Sequence, residues 1–368
     1  MSRSPRVHIW LCSRARARTR NEREYMEVKE YTFKAGSYSF SLLNLGCAIT
    51  SICVPDRNGK TENITLPFIG AVENPDVILK STMYYGLTVG RFANRIGGAS
   101  FKVGDRKIVF EKNDGPNLLH SGSKGIWARI WNVKHTEDGF LCSIKVSEKE
   151  DGFPGDADIR VRFSLSDDGV FRIHYSISCS ESCPMNLTNH TYFNLTGDNK
   201  KDVLSHVFEI ESSKTLEVDN GLIPTGKMIE TKNTAWDFSK PKALGKDINK
   251  SELKGANGYD HCLIIDRPDG ANFGFKRFVK VYEPESGRIL CGYTDLPAFH
   301  LYSGNFLTGE CGHDFRHGFC LETEFYPDCV NHPEFPSCIV NPGELFESTT
   351  VYHFYTDAPG SDKSEVLG

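Results

Sequence analysis

Apolar and polar residues alternate along much of the chain. Apolar side chains recur at every second position over 140–146, 159–165 and 171–179. Because successive side chains of a β-strand point to opposite faces, this period of two predicts strands with one buried face. Asp168-Gly169 separates the last two runs and is typical of a hairpin turn. The pattern predicts antiparallel strands joined by tight turns.

Turn residues are frequent throughout, with 33 Gly and 17 Pro among 368 residues. Helical periodicity is nearly absent, and only 74–80 predicts a turn or two of helix. No linker rich in Pro, Gly or Ser divides the chain. We therefore expect an all-β protein, a single large antiparallel β-sandwich over residues 26–356. A basic, disordered extension is expected at 1–25 and a polar tail at 357–368.

Net charge and cysteine usage limit the expected partners and the expected cellular compartment. The net charge of −5 argues against nucleic acid or an anionic membrane as a partner. No apolar run approaches the roughly 20 residues that a membrane span needs. The 12 cysteines are scattered without a C-x-x-C pair, which favours reduced thiols in the cytoplasm. The Arg-rich start, with no acid before Glu22, also resembles a mitochondrial presequence, a minor alternative.

Several polar clusters interrupt the apolar pattern. The segment 90–96 carries Arg91, Asn94 and Arg95, which would suit a polyol but also an ion-paired surface. His120 follows two leucines and precedes small residues, so it would reach into a cleft, although such a histidine is more often structural.

The segment 186–195 is an unusual strand. Period-two alternation places Thr188, His190, Tyr192 and Asn194 on one face. Aromatic rings cover the C–H surface of a sugar while amides and imidazole bond its hydroxyls, so this face favours sugar binding over a purely structural ladder.

Two carboxyl groups stand two residues apart near the C-terminus. In a strand Glu322 and Glu324 would share a face, roughly 7 Å apart. If both are buried, one should have a raised pKa, as in a catalytic site, whereas an exposed acidic edge is the alternative. Two acids on one strand fit a glycoside hydrolase poorly.

Several functions lack their signatures. The chain has no Walker A sequence, no G-x-G-x-x-G, no H-E-x-x-H and no G-x-S-x-G. The soft-ligand run of Cys311, His313, His317 and Cys320 matches no standard zinc spacing, so we expect no metal.

Together these motifs resemble those of a known family. The strings GRFANRI (90–96), NLLHSG (117–122), NLTNHTYFNLTG (186–197), GYDH (258–261), PAFHLYSGNF (297–306) and GFCLETEFYPDCVNHPEFPS (318–337), with NPGE (341–344), look like aldose 1-epimerases, the galactose mutarotases. The resemblance implies the large β-sandwich of galactose mutarotases, a free monosaccharide such as D-galactose or D-glucose as substrate, and no cofactor. It leaves the oligomeric state open between a monomer and a weak dimer.

The resemblance also implies roles. Glu322 matches the catalytic base and His190 the acid, and the substrate-binding positions are Asn94, Arg95, His120, Tyr192, Asp260 and His300. Two departures stand out, because the family usually has Gln where this chain has His300 and commonly has Gln where it has Glu324.

The implied reaction is mutarotation. A base takes the proton of the anomeric hydroxyl while an acid protonates the ring oxygen, and the ring opens and recloses on the other face. The alternatives are a hexose-6-phosphate 1-epimerase, which would need more cationic groups, and a non-catalytic sugar-binding protein on the same scaffold.

Overall fold

The computed structural model describes residues 27–267 and 275–359. The extension predicted for 1–25 and most of the predicted C-terminal tail lie outside the described residues. The described residues form two α-helical turns, α1 (Asp76–Leu79) and α2 (Glu148–Asp151), besides short 3-10 turns, and the first confirms the helix predicted near 74–80. The strands, in chain order, are β1 (Glu30–Ala35), β2 (Tyr38–Leu43), β3 (Ile49–Pro55), β4 (Thr61–Asn63), β5 (Thr88–Val89), β6 (Arg95–Ile96), β7 (Ser100–Val103), β8 (Arg106–Val109), β9 (Leu118–Leu119), β10 (Asn132–Thr136), β11 (Gly139–Val146), β12 (Ala157–Leu165), β13 (Val170–Cys179), β14 (Cys183–Pro184), β15 (Thr188–Asn189), β16 (Tyr192–Phe193), β17 (Val207–Ile210), β18 (Lys214–Val218), β19 (Pro224–Glu230), β20 (Lys242–Ala243), β21 (Asp260–Ile264), β22 (Lys276–Tyr282), β23 (Arg288–Thr294), β24 (Ala298–Tyr302), β25 (Phe319–Glu324), β26 (Ile339–Val340) and β27 (Phe346–Thr356).

Two large sheets dominate the described residues. A nine-stranded sheet has the order β10-β11-β12-β13-β27-β23-β22-β17-β20, and a six-stranded sheet has the order β16-β25-β24-β21-β18-β19. A four-stranded sheet, β1-β2-β3-β4, adds to them. The strand pairs within these sheets are antiparallel. The predicted all-β antiparallel sandwich is confirmed.

The alternating runs form the middle of the nine-stranded sheet. Phe140 of β11 pairs with Phe163 of β12, which pairs with Ile173 of β13, and all three are buried. Gly169 has a φ of 86° in the turn between β12 and β13, a conformation that glycine adopts without steric cost. The predicted hairpin is therefore confirmed.

The two large sheets pack face to face. The rings of Phe278 on β22 and Phe299 on β24 lie 4.6 Å apart, and Tyr352 of β27 donates a hydrogen bond to the carbonyl of Leu321 on β25 (2.6 Å). Thr323 and Thr350 join the same strands through their hydroxyls, 2.6 Å apart. This packing orients the odd-numbered residues of β25 toward the core between the sheets.

No helix among the described residues is long and apolar enough to cross a membrane.

Candidate active site

A cavity of about 510 Å³ opens on the face of the six-stranded sheet that points away from the nine-stranded sheet. Its volume is in the range of small-molecule sites. Eight side chains predicted from the sequence line this one cavity: Asn94, Arg95, His120, His190, Tyr192, Asp260, His300 and Glu322.

Strand register brings the acidic and imidazole groups together. Glu322 on β25 pairs with His300 on β24, and Cys262 on β21 pairs with the same histidine. Because the odd-numbered residues of β25 face the core, period-two alternation turns Glu322 and Glu324 to the opposite face. Both glutamates are buried, as one of the two sequence interpretations required.

His190 lies at a break between two short strands. β15 pairs with β5 and β16 pairs with β25, so the single strand predicted for 186–195 is wrong. The backbone N–H of His190 donates to the carbonyl of Leu87, and its carbonyl accepts from Gly86, both at 2.9 Å. These bonds anchor the histidine from both sides.

The predicted shared face holds only in part. His190 and Tyr192 line the cavity, whereas Asn194 donates to the carbonyls of Lys201 and His317, each at 2.8 Å. Thr188 is buried in β15 outside the cavity lining. Alternation fails here because the chain changes sheets between β15 and β16.

The two proposed proton-transfer groups are close. Nε2 of His190 lies 3.6 Å from Oε1 of Glu322, and Nδ1 of His190 lies 3.5 Å from Sγ of Cys320. The imidazole therefore presents Nε2 to the carboxyl group. Only 7% and 4% of the two side chains are exposed, so little water competes for either group.

Burial moves the two pKa values in opposite directions. It raises the pKa of Glu322 to about 8 and lowers the pKa of His190 to about 4, because a buried site disfavours either charge. Between these values the pair holds one proton, which in the free site rests on Glu322. The carboxyl with a raised pKa that the sequence led us to expect is present.

Asp260, His300 and Glu324 form a second charged group. Nε2 of His300 lies 2.6 Å from Oδ1 of Asp260, and its Nδ1 lies 3.4 Å from Oε1 of Glu324. Burial disfavours both charges of the first pair, but their contact outweighs it, so the pKa of Asp260 falls to about 2 and the pKa of His300 rises to about 10. Near neutral pH they form a buried ion pair.

Three residues that line the cavity have a strained backbone. Tyr84, Asn94 and His120 have φ values of 56°, 64° and 51°, a region that non-glycine residues seldom adopt. The N–H of Asn94 donates to Nδ1 of His120 (3.1 Å), which locks the imidazole in place. Strain of this kind is common where side chains must be held in a functional orientation.

The two arginines of 90–96 have different roles. Arg95 lines the cavity and donates from Nε to Asp114 (2.8 Å). Arg91 is fully buried, forms a 2.7 Å ion pair with Asp151 and donates to the carbonyls of Val146, Pro154 and Gly155. The polyol-binding role considered for Arg91 is wrong, because the protein interior uses its donors.

A metal ion does not suit this site. Within the described ranges, the potential ligand group is His120, His190 and Glu322, with atoms within 4.8 Å of one another. Nδ1 of His120 already accepts a hydrogen bond, so the neutral ring carries its proton on Nε2 and offers a donor. A donor suits a sugar hydroxyl, whereas a metal needs a lone pair.

The soft-ligand run near 311–320 does not converge in the part of the chain that the structure describes. Nε2 of His313 donates to the carbonyl of Pro67 (2.9 Å), and Cys320 lies beside His190.

Sequence reasoning missed part of the aromatic wall. Tyr84, Tyr302 and Phe306 line the cavity, and the Tyr302 and Phe306 rings stack with centroids 6.3 Å apart. Tyr302 stands two residues after His300 on β24, so the alternation that identifies one identifies the other. Tyr84 comes from a loop with no such signal.

Comparison with known proteins agrees with the geometry. The sequence model of the aldose 1-epimerase family matches residues 29–353. Galactose mutarotase of Bos taurus is 35% identical over 336 residues, covering 89% of this chain and 94% of that protein. Aldose 1-epimerase of Escherichia coli (strain K12) is 31% identical over 327 residues, covering 86% of this chain and 92% of that protein. The crystal structure of an aldose epimerase homologue from C. elegans superposes with a TM-score of 0.81 at 28% identity, covering 89% of this chain and 99% of that one. This chain belongs to the aldose 1-epimerase family, whose members are isomerases.

Proposed function

We propose that the protein interconverts the α and β anomers of free aldohexoses such as D-galactose and D-glucose. The observation that carries this proposal is the buried contact between His190 and Glu322, 3.6 Å from Nε2 to Oε1. Mutarotation needs one acid and one base within reach of the same acetal, and this pair provides both.

In the proposed reaction Glu322 takes the proton of the anomeric hydroxyl while His190 protonates the ring oxygen. The C1–ring oxygen bond breaks, C1–C2 rotates in the open aldehyde, and attack on the opposite face of C1 closes the ring. The two groups then exchange roles. Each transfer contributes roughly 10²–10⁴-fold to the rate.

Ring opening starts with the shared proton on His190. Burial favours the proton on Glu322, and the nearby charges act in both directions. The charges of His300 and Arg95 lower the pKa of Glu322, whereas those of Glu324 and Asp260 raise it; at His190 the charge of Asp260 raises the pKa and that of His300 lowers it. We expect the hydroxyl groups of a bound sugar to lower the pKa of Glu322 by donating to the carboxylate.

The remaining groups would hold the sugar. Asp260 accepts from hydroxyls, Arg95 and His120 donate to them, and the rings of Tyr192 and Tyr302 cover apolar C–H faces. Asn94 orients His120 and also lines the cavity. This holding limits escape of the open-chain intermediate.

The site gives less support to the alternative reactions. Arg95 is the single arginine or lysine among the described residues lining the cavity, and it is paired with Asp114, which is a weak basis for phosphate binding. Glu324 is fully buried and bonded to Asn94 and His300, so it does not serve as a second reacting carboxyl of a glycosidase.

We further propose that residues 26–356 act as one functional unit in the cytoplasm, as a monomer or weak dimer. Buried free thiols such as Cys47 and Cys142 support a reducing compartment.

Polarimetry of freshly dissolved α-D-galactose tests this function. Catalytic amounts of protein should speed the approach to the same final rotation as the uncatalysed reaction, and NMR should detect the two anomers as the only products. Saturable sugar binding without acceleration would contradict the proposal. Faster turnover of the hexose 6-phosphate than of the free sugar would favour the phosphorylated substrate instead.

A further inference from the structure

Three neighbouring strands place an imidazole between two carboxyl groups. His300 on β24 contacts Asp260 on β21 through Nε2 (2.6 Å) and Glu324 on β25 through Nδ1 (3.4 Å). At most 11% of any of these side chains is exposed. His300 and Glu324 are also the two positions at which the sequence departs from the family resemblance, and here they are in contact.

The side-chain amide of Asn94 lies within hydrogen-bond distance of both His300 and Glu324. Its Oδ1 accepts from the N–H of Arg95 (2.9 Å), which fixes the amide so that Nδ2 lies 3.2 Å from Oε1 of Glu324 and 3.1 Å from Nδ1 of His300. A neutral ring would accept at Nδ1 from Asn94. A charged ring would donate from Nδ1 to Glu324 instead.

The charge of Glu324 decides between these arrangements. A carboxylate stabilises the imidazolium, whereas a neutral group of the same shape would leave the ring free to lose a proton. Among the described residues, Oε2 of Glu324 is buried with no hydrogen-bond partner. The polar contacts of this side chain are thus its contacts with Asn94 and His300, and no hydrogen-bond network elsewhere in the described structure accounts for its burial.

We propose that Glu324 is a positioning residue, which keeps His300 charged and thereby fixes the Asp260 carboxylate toward the hydroxyl groups of the sugar. The proposal rests on the proposed function, because it assumes that the cavity holds a sugar. Glu324 does not line the cavity, and its contacts reach the substrate through His300 and Asp260, although its charge also raises the pKa of Glu322.

The other charged groups around the His300 imidazole both raise and lower its pKa. The carboxyls of Asp260, Glu322 and Glu324 favour its charge and the cationic forms of its neighbours oppose it. The opposing groups are His261 on β21, His190 beside β16, His120 after β9 and Arg95 on β6. The raised pKa of His300, about 10, agrees with the dominance of the carboxyls.

NMR titration of ring-labelled histidine tests the first step. In the native protein the His300 ring should carry both protons at pH 8. In Glu324→Gln, which keeps the shape and removes the charge, the ring should lose a proton at a lower pH. Glu347→Gln is the matched control, because Glu347 faces His174 at 3.3 Å outside the cavity. An unchanged His300 titration in Glu324→Gln would overturn the proposal.

Sugar binding tests the second step. Glu324→Gln should raise KM for galactose more than it lowers kcat, and the effect should grow with pH. In a His300→Gln background, Glu324→Gln should change KM little, because the imidazole through which Glu324 acts is absent. The increase in KM of the double variant His300→Gln/Glu324→Gln should therefore be smaller than the product of the two single-variant increases, by at least about threefold. A difference of this size is within the range for residues in contact. Multiplicative effects, or equal losses in kcat and KM, would overturn it.

These readouts separate the two proposals. If the native protein failed to catalyse mutarotation, the proposed function would fall while the histidine titration still decided the role of Glu324.

Discussion

Arg91 and Arg95 stand four residues apart in the sequence, but one supports the fold and the other lines the cavity. Replacing each with Ala therefore tests stability and function separately. Arg91→Ala would leave the Asp151 carboxylate, 2% exposed, without its cation, and would remove the donors to three backbone carbonyls. Breaking a buried ion pair by removing one partner costs about 3–5 kcal/mol. Each carbonyl left unpaired adds about 1–3 kcal/mol, less where water enters.

Arg95→Ala should behave in the opposite way. Its partner Asp114 is 35% exposed and can be hydrated, so the loss of stability should stay within about 1 kcal/mol. Loss of a charged hydrogen bond to the sugar costs about 1.5–3 kcal/mol, which corresponds to an increase in KM of about 10- to 150-fold.

Urea denaturation and polarimetry on both variants provide the assay. Since a domain has only about 5–15 kcal/mol of stability, Arg91→Ala would be barely folded, and Asp151→Asn serves as the milder variant. The reasoning is refuted if either variant of the buried pair keeps native stability, or if Arg95→Ala unfolds at lower urea while its KM stays native.

Two further predictions concern the pH profile and the backbone. A plot of kcat/KM against pH should be bell-shaped, falling below about pH 4 as a second proton enters the His190–Glu322 pair and above about pH 8 as the pair loses its last one; a profile flat to pH 10 would contradict the shared proton. Gly86→Ala should lower the free energy of unfolding by about 2 kcal/mol or more, because its Cβ would lie 2.1 Å from the carbonyl of Ile49. Gly59→Ala, also at positive φ but with nothing within 4 Å, isolates the clash in the same denaturation assay.

Local patterns predicted the strands, and one of them predicted part of the site. Alternation on β25 was enough to place Glu322 and Glu324 on one face, and the structure keeps them there, both buried. That His300 stands opposite Glu322 is a matter of register between strands. Register depends on side-chain packing across the whole sheet, which no single strand pattern reveals.

The segment 186–195 shows where alternation fails. Its apolar and polar positions predict one strand. In the structure its pairing with β5 ends at Asn189, and pairing with β25 begins at Tyr192. His190 and Tyr192 stay at the cavity while Asn194 turns to support a loop. Arg91 shows a similar limit, since its burial depends on Asp151, 60 positions further along the chain.

The central claim is that His190 and Glu322 perform the proton transfers, and polarimetry of Glu322→Gln and His190→Ala on fresh α-D-galactose tests it most directly. Each variant should keep the native fold by circular dichroism and lose about 10²–10⁴-fold in kcat. Glu324→Gln, measured beside them, should keep a kcat much closer to native. A near-native rate in either Glu322→Gln or His190→Ala would contradict the account.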